Sequence, residues 1–319
     1  MPARHTVFFI LAFWAATTGW LYYRDIRPYV TPGNPPPFTI SLADEAEAFR
    51  FHTNDESKRK EGLEWSIYQD DDIKGYAVTW VKYYKNDDSF ELHGQYKFWS
   101  KGRFSASDPD QLIKSSYRVT REGELRAVNA KIEVKVPLVQ AVYGQLTGTV
   151  ENGRMTPHIV IEAPPPFGPV KRDLQPIEIK SRGSVLNPLQ PLNRLPGLRR
   201  GQHWRMPMVD PLDDVIRGLT TKVPGLGDVQ TPKTPYLEAE VLRDTISLSR
   251  NDGAQQVECL VVEYHGDDMS ARTLVGVDDS LVYQQEVTHQ GQTLKMVRED
   301  AGSKLQDKLN KLFSQPKKK

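Results

Sequence analysis

The amino-acid sequence predicts a mainly β protein of the α+β class, in which antiparallel curved sheets or half-barrels follow an N-terminal transmembrane helix. Apolar and polar residues alternate over much of the chain, as at Leu63, Trp65 and Ile67, which is typical of strands with one buried face. Short polar turns separate these stretches, so we expect antiparallel neighbours, because parallel pairs need long crossovers. An uncharged run at the amino terminus predicts the helix.

This run covers residues 6–23 and is bordered by Arg4 and Arg24. Because about 20 helical residues cross a bilayer core, we interpret residues 1–24 as a single-pass signal anchor that contacts the membrane through residues 6–23. A cleaved signal peptide is the alternative, but the apolar residues from Trp20 onward extend beyond a cleavage site. The positive charges on the two sides of the uncharged run are balanced, so they do not predict its orientation in the membrane. A short tail, one anchor and a long folded region are typical of a periplasmic body in the cell envelope.

The rest of the chain divides by composition. Residues 25–38 are proline-rich and predict an extended spacer, since proline fixes φ and donates no hydrogen bond. We expect a first β-rich subdomain at 39–182, a proline-rich connecting segment at 183–235, and a second β-rich subdomain at 236–319. Leucine recurs every third residue from Leu186 to Leu198, so part of the connecting segment is expected to pack against a surface.

Turns and helices complete the element prediction. Hairpin turns are expected at Lys85 to Asp88, Glu122-Gly123, Asn152-Gly153, Asn251 to Gly253, Asp278-Asp279 and Gln290-Gly291. Helices are predicted at residues 44–51, 211–219 and 302–313. The last is amphipathic, because three leucines recur there at helical spacing and predict a helix that caps a sheet edge or barrel mouth.

A weak internal echo suggests two related halves. Val119 to Leu125 and Val275 to Leu281 both place a polar turn between apolar residues, and Trp65 to Ile67 is echoed by Trp204 to Met206. Many β-hairpins share part of this pattern, so a duplication and a chance likeness both stay open.

Composition excludes several classes of function. The chain has 42 basic and 41 acidic residues without a basic stripe, so we predict no nucleic-acid partner. The single cysteine, Cys259, excludes an intramolecular disulfide. His265 would lie on the same face of that strand about 20 Å away, too far to activate the thiol. No histidine spacing predicts a metal site, and the acidic clusters coincide with turns, so no catalytic residue, metal or cofactor is predicted.

Aromatic residues are dense in the first strands. They occupy both phases of the alternation and cannot all face one core, so some are exposed, face a second layer or line an apolar cleft. We therefore predict a surface for a lipid or other apolar ligand, formed by Trp65, Tyr76, Trp80, Tyr96 and Phe98.

The carboxyl-terminal strands resemble a known family. Arg272 to Asp278, Leu281-Val282, Gln285-Glu286 and Leu294 to Glu299 are similar to the closing strands of bacterial envelope proteins with a lipoprotein-carrier-like (LolA/LolB-like) half-barrel. The resemblance implies a curved antiparallel sheet wrapped around a helix, with an apolar concave face suited to an acyl chain.

Taken together, these patterns predict a membrane-anchored extracytoplasmic binding or assembly protein for a lipid or other apolar ligand, with an envelope protein as a further partner. A membrane-anchored hydrolase or transferase with a loop-built site is one alternative, and it requires an accessible Cys259 or nearby carboxylate beside a histidine. A structural interaction scaffold is the other, and it requires that all the aromatic side chains be buried.

Overall fold

The computed structural model describes residues 4–23, 62–69, 72–99, 111–121, 123–135, 141–162, 168–173, 177–178, 192–207, 236–250, 255–267, 269–289 and 291–299. The spacer at 25–38 and the helices predicted at 44–51, 211–219 and 302–313 lie outside the described residues.

The described residues form one helix, α1 (Arg4–Leu21), and a 15-stranded sheet. The strands are β1 (Leu63–Gln69), β2 (Asp72–Tyr84), β3 (Ser89–Phe98), β4 (Gln111–Thr120), β5 (Leu125–Val134), β6 (Val142–Glu151), β7 (Arg154–Glu162), β8 (Pro169–Asp173), β9 (Ile177–Glu178), β10 (His203–Pro207), β11 (Tyr236–Arg250), β12 (Gln255–His265), β13 (Met269–Gly276), β14 (Val282–His289) and β15 (Gln292–Arg298).

Helix α1 coincides with the uncharged run, so the predicted helix is confirmed. Its large apolar side chains are exposed, with Phe9, Phe13 and Trp14 at 71%, 73% and 65%. Within the described ranges, no helix has both the length and the apolar character needed to cross a membrane. The membrane anchor therefore stays a prediction.

The pairings of the sheet are antiparallel, which confirms the mainly β, antiparallel prediction. The sheet is open, and its strand order is β10-β11-β12-β13-β14-β15-β1-β2-β3-β4-β5-β6-β7-β8, with β9 on β7. Along this path one pair joins strands distant in sequence: β15 lies beside β1, with Met296 opposite Ile67. Strands from both predicted subdomains thus belong to one sheet.

One face of the sheet carries the main core, which we call the core face. In β2 the buried residues Ala77, Thr79 and Val81 alternate with Trp80 and Lys82, which point to the opposite, outer face. The same alternation places Val128, Leu146, Met155, Trp204 and Val262 in one core cluster with Trp65. Side chains alternate between the two faces along a strand. Residues directly opposite each other on neighbouring strands point to the same face.

The described part of the connecting segment packs as its leucine repeat predicts. Leu195 is buried in the core, and Leu192 and Leu198 pack against it. The backbone N–H of Leu195 donates to Ser280 O at 3.0 Å, and that of Val282 donates to Asn193 O at 2.9 Å. The segment is thereby attached to the turn between β13 and β14.

A cross-strand row occurs twice in the sheet. Trp65 lies opposite Ala77, which lies opposite Tyr96. In the second half Trp204 lies opposite Ala239, which lies opposite Tyr264. Each row thus carries a tryptophan, an alanine and a tyrosine on three neighbouring strands of the core face. The likeness between the two halves therefore includes the pairing of neighbouring strands as well as single stretches of sequence.

Candidate functional site

A hollow of about 260 Å³ opens on the outer face of β4, β5, β6 and β7. Four consecutive antiparallel strands build it. It is lined by Leu112, Lys114, Lys131, Ile132, Glu133, Tyr143, Gly144, Gln145, Val160 and Glu162.

The register arranges most of these side chains in two rows across the strands. The first row, which we call the lysine row, is Lys114, Lys131, Gln145 and Val160. The second, the glutamate row, is Leu112, Glu133, Tyr143 and Glu162. Along each strand the two rows are two positions apart, which corresponds to about 7 Å. Ile132 and Gly144, which also line the hollow, belong to the other phase of the alternation.

The lysine row places two like charges side by side. Lys114 and Lys131 are direct cross-strand partners, and both are exposed. Like charges directly opposite each other destabilise a strand pair. Among the described contacts, neither ammonium group has an ion pair or a hydrogen bond. The row therefore presents two uncompensated positive charges to whatever enters the hollow.

The glutamate row places an aromatic ring between two carboxylates. Tyr143 lies opposite Glu133 on one side and Glu162 on the other, and 47% of its surface is exposed. In the described part of the chain, neither carboxylate is engaged in an ion pair. Carboxylates and an aromatic face both attract a cation, so this row has the opposite electrostatic preference to the lysine row.

A second polar cluster lies on the outer face of β2, β3 and β4. Tyr84 OH donates to Glu91 Oε2 at 2.5 Å, and His93 Nε2 lies 3.3 Å from the same oxygen. Burial raises the pKa of Glu91, but the bond from Tyr84 and the nearby positive charges outweigh it and lower that pKa. Burial lowers the pKa of His93, and Glu91 offsets only part of this. The imidazole stacks on Trp80 with ring centroids 4.9 Å apart. The Glu91 carboxylate is thus already engaged by Tyr84 and lies beside His93.

The five residues of the predicted apolar surface divide between the two faces. Trp65 is fully buried in the core, and Tyr96 and Phe98 pack against that core. Tyr76 and Trp80 lie on the outer face, where Tyr76 contacts Trp99 at 5.5 Å between ring centroids. None of the five lines the hollow. The sheet therefore does not bring them together as one surface.

Sequence reasoning missed the residues that line the hollow. Lys114, Lys131 and Glu162 read as ordinary exposed charges, and only the strand register places them around a common space. One detectable sign was an apolar residue in the otherwise polar phase of three of the four strands, β4, β6 and β7. These residues are Leu112, Tyr143 and Val160.

The Cys259 thiol is not placed to act as a nucleophile. The thiol is fully buried, and burial, followed by the charges of Asp279 and Glu258, raises its pKa to about 11. It is therefore protonated at neutral pH, whereas the thiolate is the nucleophile. His265 is exposed, with its Nε2 3.5 Å from Glu263. Among the described residues, no group of three His, Cys, Asp or Glu side chains is placed to hold a metal ion.

No family model and no curated protein matches this chain. Among solved structures, a beta-barrel-like protein of domain of unknown function DUF1849 from Brucella abortus is similar at a TM-score of 0.33 and 9% identity. The match covers 75% of this chain and 96% of that chain. Such a distant likeness defines neither the fold nor the function of this protein.

Proposed function

We propose that this protein is a membrane-tethered envelope protein that binds a lipid-type amphipathic ligand in the hollow on β4 to β7 and carries out no chemistry itself. The observation that carries the proposal is the composition of the hollow. It combines apolar Leu112, Tyr143 and Val160 with charged residues that have no ion-pair partner among the described residues. Ligand sites of this kind are concave, with an apolar lining and a few convergent polar groups.

The size of the hollow limits what it can hold. Sites for drug-sized molecules occupy roughly 300 to 1,000 Å³. A volume of about 260 Å³ suits a headgroup and the first carbons of a chain rather than a whole lipid. The ligand is therefore held at its polar end, and its chain extends away from the hollow.

The tether is helix α1. Contiguous apolar side chains exposed on this scale mark contact with a membrane or another protein. Phe9, Phe13 and Trp14 are among the most exposed large side chains described. We propose that residues 6–23 contact the membrane, that the sheet lies in the periplasm, and that the lipoprotein-carrier resemblance reflects a shared task. The stretches that carry this resemblance fold as β13, β14 and β15, three consecutive antiparallel strands.

The binding proposal is tested by native mass spectrometry. Full-length protein is recovered from vesicles of phosphatidylethanolamine and phosphatidylglycerol, and lipid adducts are counted. Val160→Asp places a charge on the apolar lining, whereas the control Val277→Asp changes a valine that is 39% exposed outside the hollow. We expect the adduct population to fall at least tenfold in Val160→Asp and to stay at the wild-type level in the control. Equal adducts in all three proteins, or none in the wild type, would refute ligand binding in the hollow.

The tether is tested by flotation with the same vesicles. The wild type and Val160→Asp should float, because α1 is unchanged in both. Phe9→Lys/Phe13→Lys should remain at the bottom of the gradient, since charged residues are costly inside a bilayer. Flotation of this double variant would contradict membrane contact through α1 and leave the binding result untouched.

A further inference from the structure

The hollow is electrically divided, and this division identifies the class of headgroup that fits it. We infer that the hollow binds a zwitterionic phosphoamine group, with the phosphate at Lys114 and Lys131 and the ammonium over Tyr143 between Glu133 and Glu162. The inference rests on the proposed binding function and adds the chemistry and orientation of the ligand.

The anionic end belongs at the lysine row. Lys114 and Lys131 are direct partners on β4 and β5, and their mutual repulsion is relieved when an anion lies between them. Lysine binds phosphate as a point charge through three donors. Gln145, which lies opposite Lys131, adds amide donors in the same row. The row therefore favours a phosphate group over an apolar one.

The cationic end belongs at the glutamate row. Neighbouring strands lie about 4.8 Å apart, so the backbones of Glu133 and Glu162 are roughly 10 Å apart, with Tyr143 between them. An ammonium group over the ring is then in reach of both carboxylates and gains a cation–π contact. The exposed ring of Tyr143 leaves this position open to a ligand.

The balance of charges decides between a zwitterion and a simple ion. The lining has two lysines and two glutamates, so its formal charge is zero. A net anion is attracted by the lysine row and repelled by the glutamate row. A net cation is attracted by the glutamate row and repelled by the lysine row. A zwitterion aligned across the rows gains both attractions. The rows lie about 7 Å apart, and flexible lysine and glutamate side chains can shorten this distance.

The competing arrangement is an internal ion pair that closes the site. Lys131 and Glu133 are two residues apart on the same face of β5 and are close enough to approach each other. In the described part of the chain no such pair forms within 4.0 Å. Both charges thus remain available to a ligand.

Isothermal titration calorimetry on the full-length chain in nanodiscs without phosphoamine lipid tests this inference. Glycerophosphoethanolamine should bind at least tenfold more tightly than inorganic phosphate or ethanolamine alone. Lys114→Ala/Lys131→Ala and Glu133→Gln/Glu162→Gln should each remove this preference. The matched controls Lys85→Ala and Glu151→Gln carry the same changes at exposed positions outside the hollow and should retain it.

The lipid and the free headgroup are separated by comparing this titration with native mass spectrometry. A soluble compound that binds as tightly as the diacyl lipid assigns the site to a free phosphoamine. Retention of the diacyl lipid with the same sensitivity to the lysine and glutamate variants assigns it to a membrane headgroup. Both results support the zwitterion.

The inference is overturned if phosphate alone binds as tightly as the zwitterion, or if the charge variants leave headgroup preference unchanged. In that case lipid adducts that still depend on Val160 would preserve the proposed function. Loss of that Val160 dependence would instead remove the proposed function itself. The two failures are therefore distinguishable.

Discussion

Trp65 and Trp204, which are both buried in the core, differ in the hydrogen bonding of the indole N–H. Trp65 Nε1 donates to Thr79 Oγ1 at 3.0 Å. At the corresponding position of the second row the residue is Val241, and Trp204 Nε1 is buried without a partner among the described residues. A buried donor left unpaired costs about 1 to 3 kcal/mol.

Thr79→Val should therefore lower the free energy of unfolding by about 1 to 3 kcal/mol, because it leaves the Trp65 indole N–H unpaired. Val241→Thr is the matched reverse change, since it offers Trp204 an acceptor, and should be neutral or stabilising. Urea unfolding of the two full-length variants measures both. Equal destabilisation by the two changes would show that the hydroxyl bond is not the difference between the sites.

Asp88 accepts hydrogen bonds from two neighbouring side chains. Arg121 donates to it through two nitrogens, each at 2.7 Å, and Tyr83 OH donates at 2.7 Å. These bonds, Arg121 first, lower the pKa of Asp88 from 3.8 to about 2. A carboxyl whose pKa is lower in the folded state stabilises the fold at pH values above its unfolded-state pKa. This contribution is lost as the pH falls through the folded-state pKa.

Asp88→Asn should thus be less stable than the wild type at neutral pH, and the difference should shrink as pH falls from about 4 to about 2. Asparagine suits the test because it tolerates the positive φ of 48° found here. Denaturant midpoints across this pH range measure the effect. A difference that is constant with pH would contradict the role of the carboxylate charge.

Two strand glycines differ in the space beside them. A Cβ at Gly75 in β2 would lie 2.2 Å from the backbone oxygen of Lys97 in β3, which cannot rotate away. A Cβ at Gly144 in β6 would meet nothing within 4 Å. Gly75→Ala should therefore lower the free energy of unfolding by about 1 to 3 kcal/mol, as overpacking does, and Gly144→Ala should leave it nearly unchanged. Thermal unfolding of both variants checks this. A similar loss from Gly144→Ala would point to backbone strain rather than the close approach at Gly75.

At the level of the whole molecule, β15 joins the last strands of the described sheet to the first. It pairs with both β14 and β1, and Glu299 N donates to Glu64 O at 2.9 Å. Met296 is buried in the core opposite Ile67. Because the core cluster includes residues from both sides of this strand, we expect the sheet to unfold as one cooperative unit.

Met296→Ala should cost about 2 to 5 kcal/mol and lower hydrogen-exchange protection equally in β2 to β4 and in β12 and β13. Leu294→Ala is the control, since that side chain lies on the same strand and is 37% exposed. Hydrogen exchange with mass spectrometry resolves the two regions. Loss of protection in β12 and β13 alone would show that the halves unfold independently.

Local patterns predicted the elements because their causes are local. The Asn152-Gly153 turn is confirmed: both residues have positive φ, 51° and 73°, which this dipeptide adopts readily in two-residue hairpins. The assignment of faces was less accessible. Alternation shows which residues of β1 share a face with Trp65 and which residues of β2 share a face with Tyr76. Only the pairing of the two strands shows that Trp65 and Tyr76 point to opposite sides of the sheet.

The sequence by itself determined the antiparallel strands, the Asn152-Gly153 turn and the amino-terminal helix, because alternation, turn chemistry and an uncharged run act over a few residues. The tertiary structure alone decided that β15 lies beside β1 and that Lys131 and Tyr143 share a hollow with Glu162. The β15–β1 pair joins strands distant in the chain, and the hollow depends on how four consecutive strands are aligned with one another. Register is set by how whole strands bury their apolar face and, between hairpin neighbours, by the turn that joins them, so it is not read from the residues of the site alone.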